Sequence, residues 1–262
     1  MGDEMVKSRL LPGLFVALVL FYLYAPIIVI VFFSFTTSPR LSLPVEGLTL
    51  AWYARAFSDP LIPMALQNSA ILALLSAVGG GVAGAAFAYG LVTLRNRRWR
   101  DALLSASMLP AIVPLLVIGI ALAVFFRTIG LPQGLTGAAV GHVLVSLPFV
   151  ILTMNSRLES FDFTILEAAR DLGASRFQAF RDITLPLIRP SVVGAALLAA
   201  ALSLDEFVIT WFNIGSQQTV PTLVWGLMRR GIDPSVNAIA TFLLVLLTCL
   251  VIGSNLLNKR NS

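Results

Sequence analysis

The chain has 262 residues, of which 58% are hydrophobic and 12% are charged, against about 45–50% and about 25% in an average soluble domain. Together with a mean hydropathy of +0.90, this composition indicates an integral membrane protein and excludes disordered, collagen-like and coiled-coil chains. The net charge is +5, but in a membrane chain the distribution of charge matters more than its sum, and we expect no nucleic-acid partner.

A single cysteine, Cys249, and a single histidine, His142, exclude an internal disulfide and a Cys/His metal cluster. For His142, which lies in an apolar stretch, we expect a hydrogen-bonded packing role, with a functional role as the alternative.

Six apolar stretches are long enough to cross a bilayer, which needs about 20 residues per helix. The predicted spans are 10–35, 70–94, 102–126, 134–154, 191–212 and 238–257. They predict an all-α, polytopic membrane protein with one transmembrane domain over residues 1–262 and no room for a separate soluble domain. The first stretch is longer than the hydrophobic region of a signal peptide, so we expect it to be retained as a span.

The positions of Lys and Arg predict the orientation of these spans. If the N-terminus is cytoplasmic, 13 of the 18 Lys and Arg residues fall in inside segments, and the run Arg95–Arg100 gives the strongest local signal. The positive-inside rule therefore places both termini in the cytoplasm.

Glycine and proline patterns within the spans have packing interpretations. Gly79, Gly81 and Gly84 fit G-x-G-x-x-G, but they lie inside an apolar helix, whereas a dinucleotide site needs a strand before the glycines. We interpret them as a small-residue face for close helix packing. Pro110 and Pro114 predict kinks in the third span.

The longest inside connection, 156–190, has the signals of a helix followed by a glycine turn. Thr164 and Glu167 fit a capping box, which predicts a short helix over 165–172. Gly173 then suits the left-handed position that follows a helix end.

A second capping box, Ser175 with Gln178, predicts another short helix over 176–182, and Pro186 and Pro190 are expected to close the segment before the fifth span. We call the two short helices and the glycine turn between them the elbow. Its expected apolar side chains among the charges are Leu166, Ala169, Phe177 and Phe180. An amphipathic pair lying on lipid headgroups and a docking surface for a partner are both compatible with this pattern.

The same segment matches E-A-A-x3-G-x9-I-x-L-P at every position, from Glu167 to Pro186. It resembles the EAA loop of ABC importer permeases. Segments elsewhere resemble the spermidine/putrescine uptake group, in particular its second-permease type; they are Leu23–Ile28, Leu50–Tyr53, Ser203–Thr210 and Arg229–Ala238. One departure is Asp205-Glu206, where that group often has Asp-Asp.

The resemblance implies a six-helix permease fold whose elbow, between helices four and five, docks on a cytoplasmic ABC ATPase dimer. It also implies a second permease, here a different chain, a periplasmic substrate-binding protein, and a location in the bacterial inner membrane. ATP and Mg²⁺ would be bound by the ATPase, so this chain would be no enzyme and would hold no cofactor or metal. The coupling residues implied are Glu167, Ala168, Ala169, Gly173, Ala174, Arg176 and Phe177.

Two acidic residues, Asp205 and Glu206, lie within the predicted fifth span. A charge near the bilayer centre costs about 2.5–3.5 kcal/mol on insertion scales, so we expect it to face a cavity or a partner. Adjacent helical residues point about 100° apart, so we expect at most one of the two carboxylates to point directly into a substrate pathway. Phe207 and Trp211 could add cation–π contacts to an amine. The alternatives are a structural pair, for instance with Arg127, or contact with the binding protein.

These features predict the permease subunit of an ATP-driven importer for polyamines or related amines. The same importer class with another nitrogenous cargo, such as an opine or an aminophosphonate, is one alternative. An ion-coupled secondary carrier is a second, although it would need no elbow and would usually show an internal repeat. An intramembrane enzyme is a third, although the sequence offers no nucleophile–base or metal constellation for it.

Overall fold

The computed structural model describes residues 2–38, 44–230, 234–245 and 248, without the side chains of 2–11 and 230. These residues are almost entirely helical, as predicted. The helices are α1 Gly2–Phe33, α2 Ala51–Ser58, α3 Leu61–Thr93, α4 Arg97–Ser107, α5 Leu109–Ile112, α6 Leu115–Thr128, α7 Leu135–Glu159, α8 Thr164–Asp171, α9 Arg176–Ala179, α10 Leu185–Asp205, α11 Val208–Asn213, α12 Val220–Arg230 and α13 Pro234–Val245.

Within the described residues, four helical segments are long and apolar enough to cross a membrane. They are Pro12–Phe33, Leu61–Thr93, Leu135–Glu159 and Arg176–Asp205. A fifth span results if the bent pair Arg97–Ile112 and Leu115–Thr128 crosses as one unit. The predicted sixth span, 238–257, lies largely outside the described residues, so the count of six stays a prediction.

The predicted third span, 102–126, is not one kinked helix but two helical segments, Arg97–Ile112 and Leu115–Thr128, bent by 96° relative to each other. The bend falls at Val113, whose backbone is extended with ψ 134°, immediately before Pro114. The pyrrolidine ring disfavours helical geometry in the preceding residue, which explains the position of the bend. Pro110 lies in the first turn of α5, directly after the interruption at Met108 that separates α4 from α5, and its missing amide there removes no intrahelical hydrogen bond.

The predicted fifth span, 191–212, differs from the structure at both ends. One continuous helical segment runs from Arg176 to Asp205, so a separate helix over 176–182 and a closure at the prolines are wrong. A π-helical stretch over Phe180–Thr184 joins α9 to α10, and the amide of Leu185 donates to the carbonyl of Phe180. This wider turn directly precedes Pro186, whose ring would clash with a carbonyl in a regular α-helix.

The described chain separates into two compact units, Met1–Ile62 with Val224–Ser262, and Pro63–Leu223. In the first unit, an isolated antiparallel bridge pairs Thr36 with Leu48. Trp52 Nε1 donates to the carbonyl of Thr36 at 2.6 Å, and Ser34 Oγ lies 2.7 Å from the hydroxyl of Tyr53. These bonds fasten α2 to the end of α1.

The second unit is built on α3, α7 and α10. Its main apolar cluster consists of Ala88, Val150, Met154, Leu158, Phe161, Ile188, Ala195 and Ala199. Between α3, α7 and α10 there is no room for added side chains: a Cβ built on Gly80 would lie 2.9 Å from Ser146 Oγ, and one built on Gly81 would lie 2.9 Å from the Cβ of Ala196. The glycine run of α3 is therefore a close-packing face, as predicted.

Candidate functional site

A cavity of about 330 Å³ opens in the second unit where α10 gives way to α11. Its polar lining consists of His142, Ser146, Ser203, Asp205 and Glu206. Its remaining walls are mostly apolar and come from α5, α6, α7, the end of α10 and the start of α11. An apolar pocket with a few convergent polar groups is the usual form of a small-molecule site.

The two acidic residues lie at an interruption of the helix, which we call the helix break and define as Asp205–Phe207. Asp205 is the last residue of α10, Glu206 is extended with ψ 106°, and α11 begins at Val208. The sequence predicted a continuous helix with side chains 100° apart. Because the helix breaks instead, that angular limit does not apply, and both Asp205 and Glu206 line the cavity.

The two carboxylates have different partners. Glu206 Oε1 accepts a hydrogen bond of 2.8 Å from the amide of Ile209, in the first turn of α11. Asp205 is exposed, and no hydrogen bond or salt bridge joins its carboxylate to any described residue. Neither carboxylate pairs with Arg127 in the described part of the chain. Of the two, Asp205 is thus the one whose carboxylate has no protein partner among the described residues.

The predicted aromatic residues are partly brought to the cavity. Phe207 lines it, whereas Trp211 is not part of the lining and is 45% exposed. Their ring centroids are 5.6 Å apart with an interplanar angle of 36°. Trp211 therefore contacts Phe207, which lines the cavity, and the cation–π contact predicted for Trp211 stays a prediction.

His142, on α7, is 2% exposed and hydrogen-bonded through both ring nitrogens, so the predicted burial and hydrogen bonding are present. Nδ1 lies 2.6 Å from Ser203 Oγ and Nε2 lies 2.7 Å from Thr210 Oγ1. The two hydroxyls flank the helix break at positions seven residues apart. Sequence reasoning missed both partners, although two hydroxyl residues on either side of an acidic pair were a usable signal.

Close backbone approaches hold α11 in place against α6 and α7. A Cβ on Gly141 would collide with the side chain of Ile209, and one on Gly119 would lie 3.1 Å from the ring of Phe212. Asn213 Nδ2 donates to the carbonyl of Gly119 at 3.1 Å. The short helix after the break is thereby fixed by its neighbours.

The elbow forms at the opposite end of α10. Gly173 has φ +93°, a left-handed conformation that favours glycine. Its amide donates to the carbonyl of Arg170 at 2.9 Å, and the amide of Ala174 donates to the carbonyl of Ala169 at 3.0 Å. These are the two bonds of a Schellman motif. The Ser175–Gln178 capping box is also present, with bonds of 3.2 and 2.8 Å.

The other predicted capping box, Thr164 with Glu167, is wrong. The helix begins at Thr164 itself, and Asp162 Oδ1 accepts both the amide of Thr164 at 3.0 Å and its hydroxyl at 2.7 Å. The ionised carboxylate of Asp162, two residues before Thr164, is a stronger hydrogen-bond acceptor than the Thr164 hydroxyl. Since these hydrogen bonds favour the charged form, the pKa of the Asp162 carboxyl lies below its ordinary value. Glu167 is left exposed to other partners.

The exposed apolar surface of the elbow differs from the predicted one. Leu166 packs on the main apolar cluster of the second unit, and the Phe180 ring lies 5.1 Å from that of Tyr89. These two side chains face inward because they sit beside the buried core. The most exposed large apolar side chains of the elbow are those of Leu172, 90% exposed, and Phe177, 69% exposed. Of these two, the sequence identified Phe177 alone.

Three of the seven predicted coupling residues, Glu167, Ala174 and Arg176, line an exposed depression on the elbow. The depression is open and is also lined by Arg170, Asp171 and Ser175. Of the other four, Ala168 is exposed and Ala169 is half-buried on α8, Gly173 is exposed in the turn, and Phe177 is exposed on α9. The arrangement presents both signs of charge beside an apolar patch, which suits a protein partner better than a small solute.

The cavity at the helix break and the elbow belong to a chain whose sequence is similar to known transport proteins. Residues 78–262 match the family described as "binding-protein-dependent transport system inner membrane component". The spermidine/putrescine transport system permease protein PotC of Escherichia coli (strain K12) is 37% identical over 255 residues, covering 96% of this chain and 95% of that protein. The putrescine transport system permease protein PotI of the same strain is 33% identical over 230 residues, covering 85% and 82%.

Solved structures share the fold. A bacterial ABC transporter involved in the import of the acidic polysaccharide alginate superposes with a TM-score of 0.71 at 18% identity, covering all of this chain and 98% of that chain. The MetNI methionine ABC transporter gives 0.64 at 18% identity, covering 77% and 96%. Together with the matches in sequence, they show that this chain belongs to the binding-protein-dependent transport system inner membrane component family and is a permease subunit of an ABC importer.

Proposed function

We propose that this permease, paired with a second and different permease chain, forms the pathway by which an ABC importer takes up polyamines such as spermidine or putrescine. Relatives named as spermidine/putrescine and putrescine permeases are 33–37% identical over most of the chain. The single observation that carries the proposal is the exposed carboxylate of Asp205, beside Glu206 in a cavity with mostly apolar walls.

The chemistry of this cavity fits an amine. An ammonium group can pair with the carboxylate of Asp205, which has no partner among the described residues, while an anionic solute would be repelled by two acidic groups. The methylene chain of a polyamine suits the apolar walls. The face of Phe207 adds a site for a cation–π contact.

The elbow is proposed as the contact with the ATPase dimer. Under the orientation predicted from Lys and Arg, both termini and the elbow are cytoplasmic. Leu172 and Phe177 offer the apolar contact, and the charged depression around Glu167 and Arg176 offers polar ones. ATP and Mg²⁺ are then bound by the ATPase, a periplasmic binding protein delivers the solute, and this chain holds no cofactor.

ATP-driven uptake of labelled putrescine and spermidine into membrane vesicles tests the cargo. The complete importer should accumulate at least one of them, and the unlabelled polyamine should compete. Uptake of neither, together with uptake of a labelled opine or aminophosphonate, would replace polyamine by that cargo. Uptake driven by an ion gradient without ATP would contradict the importer class.

Labelling of introduced cysteines tests the orientation. In a Cys249→Ala background, Arg98→Cys should react with an impermeant thiol reagent only after the membrane is opened. Reaction of that cysteine in intact spheroplasts would reverse the topology and remove the elbow from the cytoplasm.

A further inference from the structure

The buried histidine joins the two sides of the helix break. Ser203 lies in the last turn of α10 and Thr210 in the first turn of α11, and both hydroxyls bond to the ring of His142. The cavity that contains Asp205 and Glu206 also touches this ring. His142 is therefore placed to influence the geometry of both carboxylates without being their direct partner.

The hydrogen bonds determine which ring nitrogen carries the proton. The hydroxyl of Thr210 donates to the carbonyl of Glu206 at 2.8 Å, so its single hydrogen is already used. The contact of 2.7 Å between Thr210 Oγ1 and His142 Nε2 must then be donated by Nε2–H. In a neutral ring Nδ1 is bare, and it accepts the hydroxyl hydrogen of Ser203 at 2.6 Å.

We infer that His142, as the neutral Nε2–H tautomer, is a positioning residue that holds the helix break in the shape that turns Asp205 and Glu206 into the cavity. It acts through Thr210 on the carbonyl of Glu206 and through Ser203 on the end of α10. The consequence for substrate rests on the proposed function, whereas the tautomer and the hydrogen-bond chain do not.

The neutral state also matters for the charge of the cavity. An imidazolium at this position would offset one of the two carboxylates and weaken the attraction for a cationic solute. It would also place an N–H opposite Ser203 Oγ, which could no longer donate to the ring. The geometry thus favours a ring that orients the acidic pair and adds no positive charge.

The protonation state can be measured directly because the chain contains one histidine. In the detergent-solubilised importer carrying ¹⁵N-histidine in this subunit alone, ¹⁵N NMR at pH 7 should show one protonated nitrogen, Nε2, and one bare nitrogen, Nδ1. Thr210→Val should convert this signal into a mixture of tautomers, and Thr210→Ser should restore it. A single Nδ1–H tautomer or an imidazolium in the wild type would overturn the inference.

Transport kinetics test the positioning role. Thr210→Val should raise KM for putrescine about three- to tenfold, the effect of one net hydrogen bond, with kcat near the wild-type value. Thr210→Ser should restore KM. Thr153→Val is the matched control, since the hydroxyl of Thr153 also donates to a carbonyl four residues earlier but on the exposed side of α7. Its KM should be unchanged.

The outcomes separate the two proposals. If the wild-type importer takes up no polyamine but shows the Nε2–H tautomer, the cargo is wrong and the positioning inference stands. If polyamine uptake is normal and Thr210→Val leaves KM unchanged or lowers only kcat, the positioning inference fails. Should Thr210→Val not insert, Ser203→Ala removes the other hydroxyl and is expected to raise KM in the same way.

Discussion

The second unit interrupts a helix twice, at the elbow and at the helix break, and the two interruptions are held by different kinds of bonds. At the elbow, the bonds around Gly173 and Ser175 join residues three to five positions apart. At the helix break, His142 is 61 residues from Ser203 and 68 residues from Thr210 along the chain. The elbow is therefore stabilised by residues close to it in sequence, whereas the helix break is stabilised by a residue of a neighbouring helix.

This difference sets how each region responds to change. The elbow is exposed and depends on one left-handed glycine, so a single substitution there should alter it without disturbing the packed helices. The helix break is surrounded by α6, α7 and the hydroxyl–imidazole chain, so it keeps its shape when one acidic side chain is neutralised. Effects at the elbow should then appear in partner binding, and effects at the break in substrate affinity.

The largest expected effect is at the helix break. Asp205→Asn removes the carboxylate that has no partner among the described residues, and a charge-assisted hydrogen bond is worth about 1.5–3 kcal/mol. The apparent affinity for putrescine should fall about ten- to a hundredfold, while the importer still assembles. Uptake titrations measure this, with Asp101→Asn, on the exposed face of α4, as the control. A normal KM for Asp205→Asn would make this residue structural.

The next effect concerns the elbow. Gly173→Val forces a β-branched residue to φ +93°, and a left-handed conformation costs about 1–2 kcal/mol, or roughly five- to thirtyfold in the population of the native turn. Recovery of the ATPase in a pull-down should drop accordingly. Gly130→Val is the matched control, because Gly130 has φ +75° and open space but lies between α6 and α7. Equal ATPase recovery from both variants would exclude the elbow as the docking site.

A smaller effect is expected at Glu206, and it separates charge from capping. Glu206→Gln keeps an oxygen that can accept from the amide of Ile209, so the break should persist and KM for putrescine should rise by about threefold or less. Glu206→Ala removes the acceptor as well and should reduce the recovery of folded protein. If Gln lowers affinity more than Asp205→Asn does, the roles of the two carboxylates are reversed.

The smallest effect is at the start of the elbow. Asp162→Ala removes the cap of α8 and should reduce ATPase recovery slightly, whereas Asp162→Asn keeps a capping oxygen and should not. Because the pKa of Asp162 lies below its ordinary value, the cap is complete at neutral pH and is lost only as the pH falls through that lowered value. Equal loss in both variants would assign the effect to charge instead of capping.

The same contrast explains what the sequence could predict. The Gly173 turn and the Ser175 capping box were readable because their determinants are a few residues apart. The start of α8 was misassigned because Asp162 and Thr164 are both capping residues, and the helix begins at Thr164 itself, whose amide donates to the stronger carboxylate acceptor of Asp162. The direction of Leu166 and Phe180 depended on the apolar cluster beside them, which local patterns do not contain.

At the helix break, the sequence identified the two acidic residues and the cost of burying them, but it predicted a continuous helix. Residues 203–208 contain neither glycine nor proline to mark an interruption. The interruption depends on the contact of Gly141 with Ile209 and on the hydrogen bonds of His142, which come from another helix. The bend at Pro114, by contrast, has a local cause and was anticipated as a kink, although its 96° was not.

The most direct test of the central claim is ATP-driven uptake of labelled putrescine by the importer carrying both Asp205→Asn and Glu206→Gln. Insertion of the chain and its content of ATPase are measured in parallel, so that assembly is known to be intact. If the acidic pair at the helix break selects cations, the double variant should take up putrescine more weakly than either single variant. Uptake at the wild-type rate by the assembled double variant would contradict the claim.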